Sequence, residues 1–193
     1  MAWSRYQNKN NSFSVAQKTR QGVWLVVLCL MVMDLSCVEQ EPLMVQILKA
    51  QLEDLYPILQ LQYLAYQSEA LLHNNFTIHP LTQTLDELIE EYHKGIILKA
   101  VQNNEIIGSI RAYADNTTTY IGKLMVHPTH QGKGLGKRLL TEIENLLQRK
   151  RYELFTSYKS KRNLHIYKTS GYTQFREEIN LGIKFLYLEK QTM

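Results

Sequence analysis

The sequence contains little cysteine: Cys29 and Cys37 are the two among 193 residues, and none follows position 37. A thiol nucleophile, a disulfide framework and a cysteine zinc site are therefore excluded from the long region after it. The six histidines form no H-E-x-x-H pattern or other compact ligand set. The sequence accordingly predicts no metal site.

Long hydrophobic runs are also missing. The longest run covers residues 23–33, whereas a membrane-spanning helix needs about 20 residues. The polar region before it is unusually long for a secretory signal. We therefore expect residues 1–43 to be an extension, loosely structured or a short apolar helix, with no stable membrane span; a membrane-associating helix is the alternative. Residues 44–193 are expected to form one folded domain.

Neither sign of charge is in large excess, since the formal net charge is +4 and 45% of the residues are hydrophobic. This balance is typical of a globular protein; it suits an anionic cofactor but gives no case for nucleic-acid binding. The two short basic clusters, at 149–151 and 159–162, lack interleaved aromatic residues. They are explained either as solvated turns or as contacts to a cofactor phosphate.

Hydrophobic periodicity predicts a regular succession of elements from Met44 onward. Strands are predicted at 45–50, 96–101, 106–113, 117–127, 152–158, 172–179 and 183–188, and helices at 52–70, 85–93, 135–148 and 163–170. Residues 73–84 are predicted as a loop. The predicted order is therefore β-α-α-β-β-β-α-β-α-β-β.

The segment 124–140 is the most informative, because a predicted strand is followed there by a proline, three alternating glycines and an amphipathic helix. Gly132, Gly134 and Gly136 allow the backbone to approach a ligand closely. The helix that follows presents unpaired N–H groups at its start, which favour phosphate oxygens. Lys133 and Lys137 add positive charge. The segment predicts a pyrophosphate cradle.

Two familiar nucleotide motifs do not fit this segment. A Walker loop would need Gly and Ser or Thr where Gln131 and Arg138 stand, and the dinucleotide fingerprint needs G-x-G-x-x-G rather than G-x-G-x-G. The order V-x-P-x-x-Q-G-x-G-x-G resembles the acetyl-CoA loop of the GNAT superfamily of N-acetyltransferases. The alternative is that the glycines only shape a tight strand-to-helix turn.

The order of elements over residues 44–193 is also that of the GNAT fold. The resemblance implies the α/β fold class, here a mixed α+β arrangement in three layers. Its twisted mixed sheet of six to seven strands is splayed between the two central parallel strands and flanked by about four helices. It further implies acetyl-CoA as co-substrate, no metal, an amine acceptor and a cytoplasmic location, because coenzyme A thioesters are cytosolic metabolites. A homodimer is compatible with it.

The resemblance also assigns residues to the cofactor. Main-chain groups of Leu124, Met125 and Val126 would pair with the pantetheine arm as a neighbouring strand does. Amides of the loop would hold the pyrophosphate, and these belong to Gln131, Gly132, Lys133, Gly134, Leu135, Gly136 and Lys137.

Residues 163–172 resemble the second GNAT signature, N-x-x-[LIF]-Y-x-K-x-G-[FY], with Thr169 at the usual lysine position. Asn163 matches the residue that hydrogen-bonds the pantetheine arm, although a helix N-cap is the alternative. Tyr167 matches the residue near the thioester sulfur. A tyrosine with a pKa of about 10 can protonate a departing thiolate. Tyr167 is therefore predicted as the general acid, with packing or sulfur orientation as the alternatives.

The general base is not evident, because the strand at 117–127 contains no carboxylate. Glu69, Glu105 and Asp115 are candidates, and Tyr120 and a water relay compete with them. The acceptor surface is expected to draw on Tyr63, Tyr66, Gln67, Glu69, His73, Phe76, His79, Tyr172 and Phe175. This set contains few acids and gives no case for a polycation.

The predicted function is acetyl transfer from acetyl-CoA to a primary amine by direct attack in a ternary complex, with a small-molecule amine favoured over a protein amine. The alternative is a non-catalytic acyl-CoA-binding or regulatory domain.

Overall fold

The structure is a computed structural model and describes residues 44–192 of the chain. The predicted extension over 1–43 lies outside the described residues. The elements are β1 (Gln46–Lys49), α1 (Leu55–His73), α2 (His79–Thr82), α3 (Leu85–Lys94), β2 (Ile96–Gln102), β3 (Glu105–Ala114), β4 (Thr118–Val126), α4 (Leu135–Leu146), β5 (Arg151–Ser157), α5 (Lys161–Thr169), β6 (Thr173–Asn180) and β7 (Ile183–Gln191). Single turns of 3₁₀ helix cover Leu52–Asp54 and Pro128–His130. The predicted order is confirmed, with α2 added to it.

Seven strands form one sheet in the order β1-β2-β3-β4-β5-β7-β6. All neighbours are antiparallel except β4 and β5, which run parallel from the pair Thr118 and Arg151 to the pair Ile121 and Leu154. Beyond that pair the two strands separate, although β4 continues to Val126. The predicted splay between the central parallel strands is therefore confirmed.

Helices cover both faces of the sheet, which gives the predicted three layers. On one face, Leu139 and Ile143 of α4 pack with Ile110 and Leu154 of the sheet. On the other face, α1 and α3 pack against the strands. Leu55 and Ile58 of α1 and Leu88 of α3 share one core with Ile97 of β2 and Met125 of β4. No helix among residues 44–192 is both long enough and apolar enough to cross a bilayer.

Local sequence explains where several elements begin and turn. Thr84 and Glu87 form a capping box at the start of α3: Glu87 N–H donates to the Thr84 hydroxyl, and Thr84 N–H donates to the Glu87 carboxylate at 2.7 Å. Asn103 and Asn104 have φ values of 54° and 62° and join β2 to β3. Asparagine tolerates this left-handed conformation, which suits a tight hairpin.

The segment predicted as a loop at 73–84 contains the short helix α2, which the sequence pattern did not indicate. Gln62 of α1 is fully buried and donates through Nε2 to the Pro80 carbonyl at 2.8 Å and to Gln83 Oε1 at 2.9 Å. These tertiary contacts fix a turn of helix that is too short to produce a periodic pattern.

Candidate active site

A cleft of about 670 Å³ lies between α1, the end of β4, the glycine loop and α5. Of the twelve predicted site residues, ten line it: Leu124, Met125, Val126, Gln131, Gly132, Gly134, Leu135, Gly136, Lys137 and Asn163. Lys133 and Tyr167 are not among the lining residues. The structure thus brings most of the predicted set together, while their roles remain predictions.

The glycine loop at this cleft carries a row of main-chain N–H groups that are not hydrogen-bonded among the described residues. Within residues 44–192, none of the six consecutive main-chain amides from 132 to 137 has an acceptor. The first helical bond of α4 runs from Arg138 N–H to the Gly134 carbonyl at 3.1 Å. Free amides at a helix N-terminus, reinforced by the helix dipole, are suited to phosphate oxygens.

The three glycines of the loop serve two purposes. Gly132 and Gly134 both have a φ of +79°, and a Cβ added at either position would meet nothing within 4 Å. Such a Cβ would occupy open space at the cradle in a conformation that L-residues rarely adopt. Gly136 instead allows close packing, because a Cβ there would lie 3.3 Å from Ile166 Cδ1 of α5. The cradle accordingly fits a pyrophosphate that the backbone approaches closely.

At the end of β4, the main-chain N–H and C=O groups of alternate residues point to opposite sides, toward β3 or toward the splay. His127 N–H donates to the Ile107 carbonyl of β3 at 2.8 Å. Because antiparallel pairs alternate, Met125 also faces β3, while the main-chain groups of Leu124 and Val126 face the splay. The Val126 carbonyl accepts the Gln131 side chain at 3.0 Å. Leu124 and the Val126 amide are therefore the β4 groups available to an extended ligand.

The two basic clusters differ in position. Lys159, Lys161 and Arg162 line the cleft. Arg149, in the other cluster, donates to the Asp115 carbonyl at 2.9 Å. The placement of the first cluster favours its explanation as a phosphate contact.

Tyr167 is buried, with 6% of its surface exposed, and its hydroxyl makes no hydrogen bond within the described part of the chain. Burial, and then the neighbouring Tyr66 and Glu69, raise its pKa well above the usual value of a tyrosine. The phenol therefore keeps its proton at every physiological pH and can donate a hydrogen bond to a ligand atom.

Among the groups considered as general base, Glu69 lines the cleft, and its carboxylate accepts a hydrogen bond from Ser160 just before α5. Asp115 lies elsewhere and accepts the amides of Thr117 and Thr118 at 2.8 and 2.7 Å, which lowers its pKa. Tyr120 donates to Asp115 at 3.2 Å. Glu105 is exposed at the start of β3.

Within residues 163–172, the alternative given for Asn163 and the expectation for Tyr172 are wrong. Asn163 is not the N-cap of α5, because the helix begins at Lys161 and Ser160 occupies the N-cap position. Tyr172 does not belong to the acceptor surface: it is 2% exposed, and its hydroxyl donates to Glu144 Oε1 of α4 at 2.7 Å. An apolar ring with a polar tip satisfies both burial and hydrogen bonding there.

Sequence reasoning missed Lys123. Arg111 pairs with Gly122 and Ser109 with Met125, so Lys123 and Leu124 together oppose a single β3 residue. This is a β-bulge, and Lys123 has the left-handed φ of 52°. A signal existed: Ile121 and Leu124 pack into the same core three residues apart, which breaks the two-residue alternation of a strand.

The side chain of Lys123 lies on the α1 side of the sheet. Its Nζ is 3.2 Å from His79 Nδ1 and 5.9 Å from the ring centre of Tyr66, which lines the cleft. Burial, followed by the nearby Arg111 guanidinium, lowers the pKa of Lys123 to about 8. Across residues 44–192, no group of three or more His, Cys, Asp or Glu could hold a metal ion.

Comparison with known proteins agrees with this geometry. The model of the Acetyltransferase (GNAT) family matches residues 52–172. No curated protein matches the chain. Among solved structures, PaiA N-acetyltransferase from Thermoplasma acidophilum in complex with coenzyme A is similar, with 16% identity, a TM-score of 0.66, and coverage of 77% of this chain and 99% of that one.

Two acetyltransferases with acetyl-CoA are also similar in fold. The putative acetyltransferase YncA from Salmonella typhimurium has 18% identity and a TM-score of 0.61, covering 77% of this chain and 94% of its own. A GNAT family acetyltransferase from Elizabethkingia anophelis has 20% identity and a TM-score of 0.56, covering 77% and 98%.

Proposed function

The chain belongs to the GNAT acetyltransferase family, and from that premise we propose that it transfers an acetyl group from acetyl-CoA to a primary amine. The amine attacks the thioester directly in a ternary complex, so no covalent intermediate forms on the protein. A small-molecule amine is preferred to a protein amine as acceptor.

One observation carries this proposal: six consecutive amides at the start of α4 have no acceptor within residues 44–192, and five of the six residues that bear them line the cleft. A pyrophosphate is the group that such a row of donors recognises. Lys159, Lys161 and Arg162 at the same cleft add the positive charge that a further phosphate needs. The pantetheine arm would extend along the free edge of β4 at Leu124 and Val126.

The chemistry requires one group to accept a proton and another to donate one. An ammonium does not attack a carbonyl, so the acceptor amine must first lose a proton. We assign the role of proton acceptor to Glu69, acting directly or through water. Glu69 lines the cleft, whereas Asp115 is engaged elsewhere. Tyr167 then donates its hydroxyl proton, or a hydrogen bond, to the departing sulfur.

A backbone N–H on the free edge of β4 would stabilise the oxyanion that forms during attack. The proposal carries a cytoplasmic location with it, because acetyl-CoA is supplied there. It needs only one copy of the chain, and a homodimer remains a prediction.

The test begins with calorimetric titration of the full chain with acetyl-CoA and with coenzyme A. Release of coenzyme A thiol is then followed with a panel of amines and with peptides of matched amine content. Binding together with transfer to small amines is the expected result. Binding without transfer to any acceptor would establish the non-catalytic alternative, and absence of binding would refute the proposal.

A further inference from the structure

Lys123 does not itself line the cleft, but its side chain lies 5.9 Å from the ring centre of Tyr66, which does, and it is a cation without an anionic partner among the described residues. Its Nζ contacts His79 Nδ1 at 3.2 Å, and no carboxylate of the described residues forms an ion pair with it. Leu124, the next residue, lines the cleft, and its main chain faces the splay. The free amides lie at the start of α4, whereas Lys123 contacts α1 and α2.

The charged and titratable groups facing Lys123 come from four elements. They are Tyr66 of α1, His79 of α2, Glu87 and Glu91 of α3, and Arg111 of β3. Both carboxylates are already engaged. Glu91 lies 2.6 Å from Arg111, and Glu87 accepts the Thr84 amide in the capping box. The Nε of Arg111 is buried without a partner. The two carboxylates thus equal the two cations in number, but both are held by partners other than Lys123.

Holding this ammonium in place is costly. Burial disfavours the charged form, so the pKa falls to about 8, yet Lys123 remains mostly protonated near pH 7. The left-handed φ of 52° adds backbone strain at a residue that is not glycine. A partly buried cation that no carboxylate contacts, on a strained bulge and next to Tyr66 of the cleft wall, is well placed to bind an anion.

We propose that Lys123 binds a carboxylate of the acceptor, so that the substrate class is amines carrying a carboxylate, as amino acids do. This inference rests on the proposed function and gives that site its acceptor specificity. The ammonium of Lys123 donates to the carboxylate, and the bound carboxylate directs the amine of the same molecule toward the thioester beside Leu124. A polycationic acceptor is disfavoured by repulsion from Lys123 and Arg111.

The test uses the full chain saturated with coenzyme A. N-Acetyl derivatives of glycine, alanine, methionine and phenylalanine are titrated by calorimetry alongside the matching amides, which lack the negative charge. We expect at least one acid to bind tenfold or more tightly than its amide at pH 7. Raising the pH to 9.5 should weaken binding of that acid about tenfold or more, because Lys123 loses its proton while the ligand does not titrate.

Two variants isolate the charge. Lys123→Met should abolish the preference for the acid, whereas Lys123→Arg should retain most of it; both keep the Cβ and the strained backbone. With free amino acids as acceptors, Lys123→Met should raise KM for the acids by a larger factor than it lowers kcat. If Lys123→Met does not fold, the pH dependence of the wild-type chain decides.

Equal binding of acids and amides across the panel, or an acid preference that survives in Lys123→Met, would overturn the inference. Loss of kcat on acids and amides alike in Lys123→Met, with acid binding unchanged, would make Lys123 a proton acceptor and overturn it too. Failure of the chain to bind coenzyme A overturns the proposed function and this inference with it, whereas coenzyme A binding without acid preference overturns this inference alone.

Discussion

Lys190 of β7 places its Nζ 2.6 Å from Glu144 Oε2 of α4, and the same carboxylate accepts the buried Tyr172 hydroxyl at 2.7 Å through Oε1. One side chain therefore joins the helix that carries the glycine loop to the last strand of the sheet. Glu144 is 9% exposed, so its charge depends on these two partners.

Replacing this carboxylate should destabilise the fold without touching the cleft. In Glu144→Gln the amide oxygen can still accept the Tyr172 hydroxyl, but Lys190 loses its counter-charge in a partly buried position. We expect the free energy of unfolding to fall by about 2 kcal/mol. Urea denaturation measures this loss, and an unchanged midpoint would show that Lys190 turns to solvent without penalty. Coenzyme A affinity should be unchanged.

Gly134→Val tests the cradle, and Gly182→Val provides a matched control. Both glycines have a left-handed φ, +79° and +76°, and a Cβ at either meets nothing within 4 Å. Each variant should therefore lose about 1 to 2 kcal/mol of stability through backbone strain. Only Gly134→Val should also weaken coenzyme A binding, by thirtyfold or more. Equal affinity in the two folded variants would remove the pyrophosphate from this loop.

Tyr167→Phe keeps the ring and removes only the hydroxyl. Because the wild-type hydroxyl makes no hydrogen bond among residues 44–192, we expect little loss of stability. Acetyl-CoA affinity should hold while kcat falls by roughly 10² to 10⁴ fold, the usual contribution of a positioned acid. Tyr172→Phe, which removes the hydroxyl bound to Glu144, should lower stability and spare kcat.

The pH dependence of the Tyr167 reaction is also fixed by its environment. Burial raises the pKa of this tyrosine far above neutrality, so its titration should produce no inflection in kcat between pH 6 and 9. An acidic limb that disappears in Tyr167→Phe would contradict the assignment of a protonated phenol.

Lys123→Met should stabilise the chain near neutral pH. The folded state lowers the pKa of Lys123 to about 8, below its usual value, so the unfolded chain binds this proton more tightly. Stability attributable to Lys123 therefore rises with pH between about 8 and 10.5 and is least below pH 8. We expect a gain of about 1 to 2 kcal/mol at pH 7 that shrinks as the pH rises.

Lys99→Met is the control for that experiment. Lys99 lies 2.6 Å from Asp54 Oδ2 in a largely buried ion pair, so its removal should destabilise the chain. Thermal unfolding at several pH values would show the two variants shifting Tm in opposite directions near pH 7. A loss of stability in both would mean that Lys123 is better satisfied in the fold than its surroundings indicate.

A chain beginning at Met44 should fold by itself. The seven-stranded sheet and the helices on both of its faces are built within residues 46–191, and Gln46 already pairs with Val101 of β2. The shortened chain should unfold in one cooperative transition and bind coenzyme A as the full chain does. Aggregation of the shortened chain alone would place residues 1–43 within the folded unit.

Much of this fold could be predicted because its elements are long and periodic. Leu135, Leu139 and Ile143 mark α4 by their spacing, and the alternation in β2 and β3 marks the hairpin whose turn is Asn103 and Asn104. The glycine loop could also be predicted, because a backbone that a ligand approaches closely needs glycine, and the three glycines are visible in the sequence.

What could not be predicted depends on contacts between distant segments. The register that makes Lys123 a bulge residue is set by pairing with β3, and α2 is held by Gln62 from α1. Tyr172 looks like a surface aromatic until Glu144, 28 residues earlier, is brought beside it. Such positions are decided by tertiary structure, which overrides local pattern.

The separation of β4 from β5 divides the sheet into two parts, β1 to β4 and β5 to β7. Four residue pairs join the two parts, and the last of these is Ile121 with Leu154. Four of the nine residues of β4 pair across this boundary, so the main-chain ladder between the two parts is short. A ligand bound between the separated strands would contact both parts of the sheet and hold them together. Ligand binding in the cleft should therefore raise the free energy of unfolding, and the rise in Tm with ligand concentration would measure the binding.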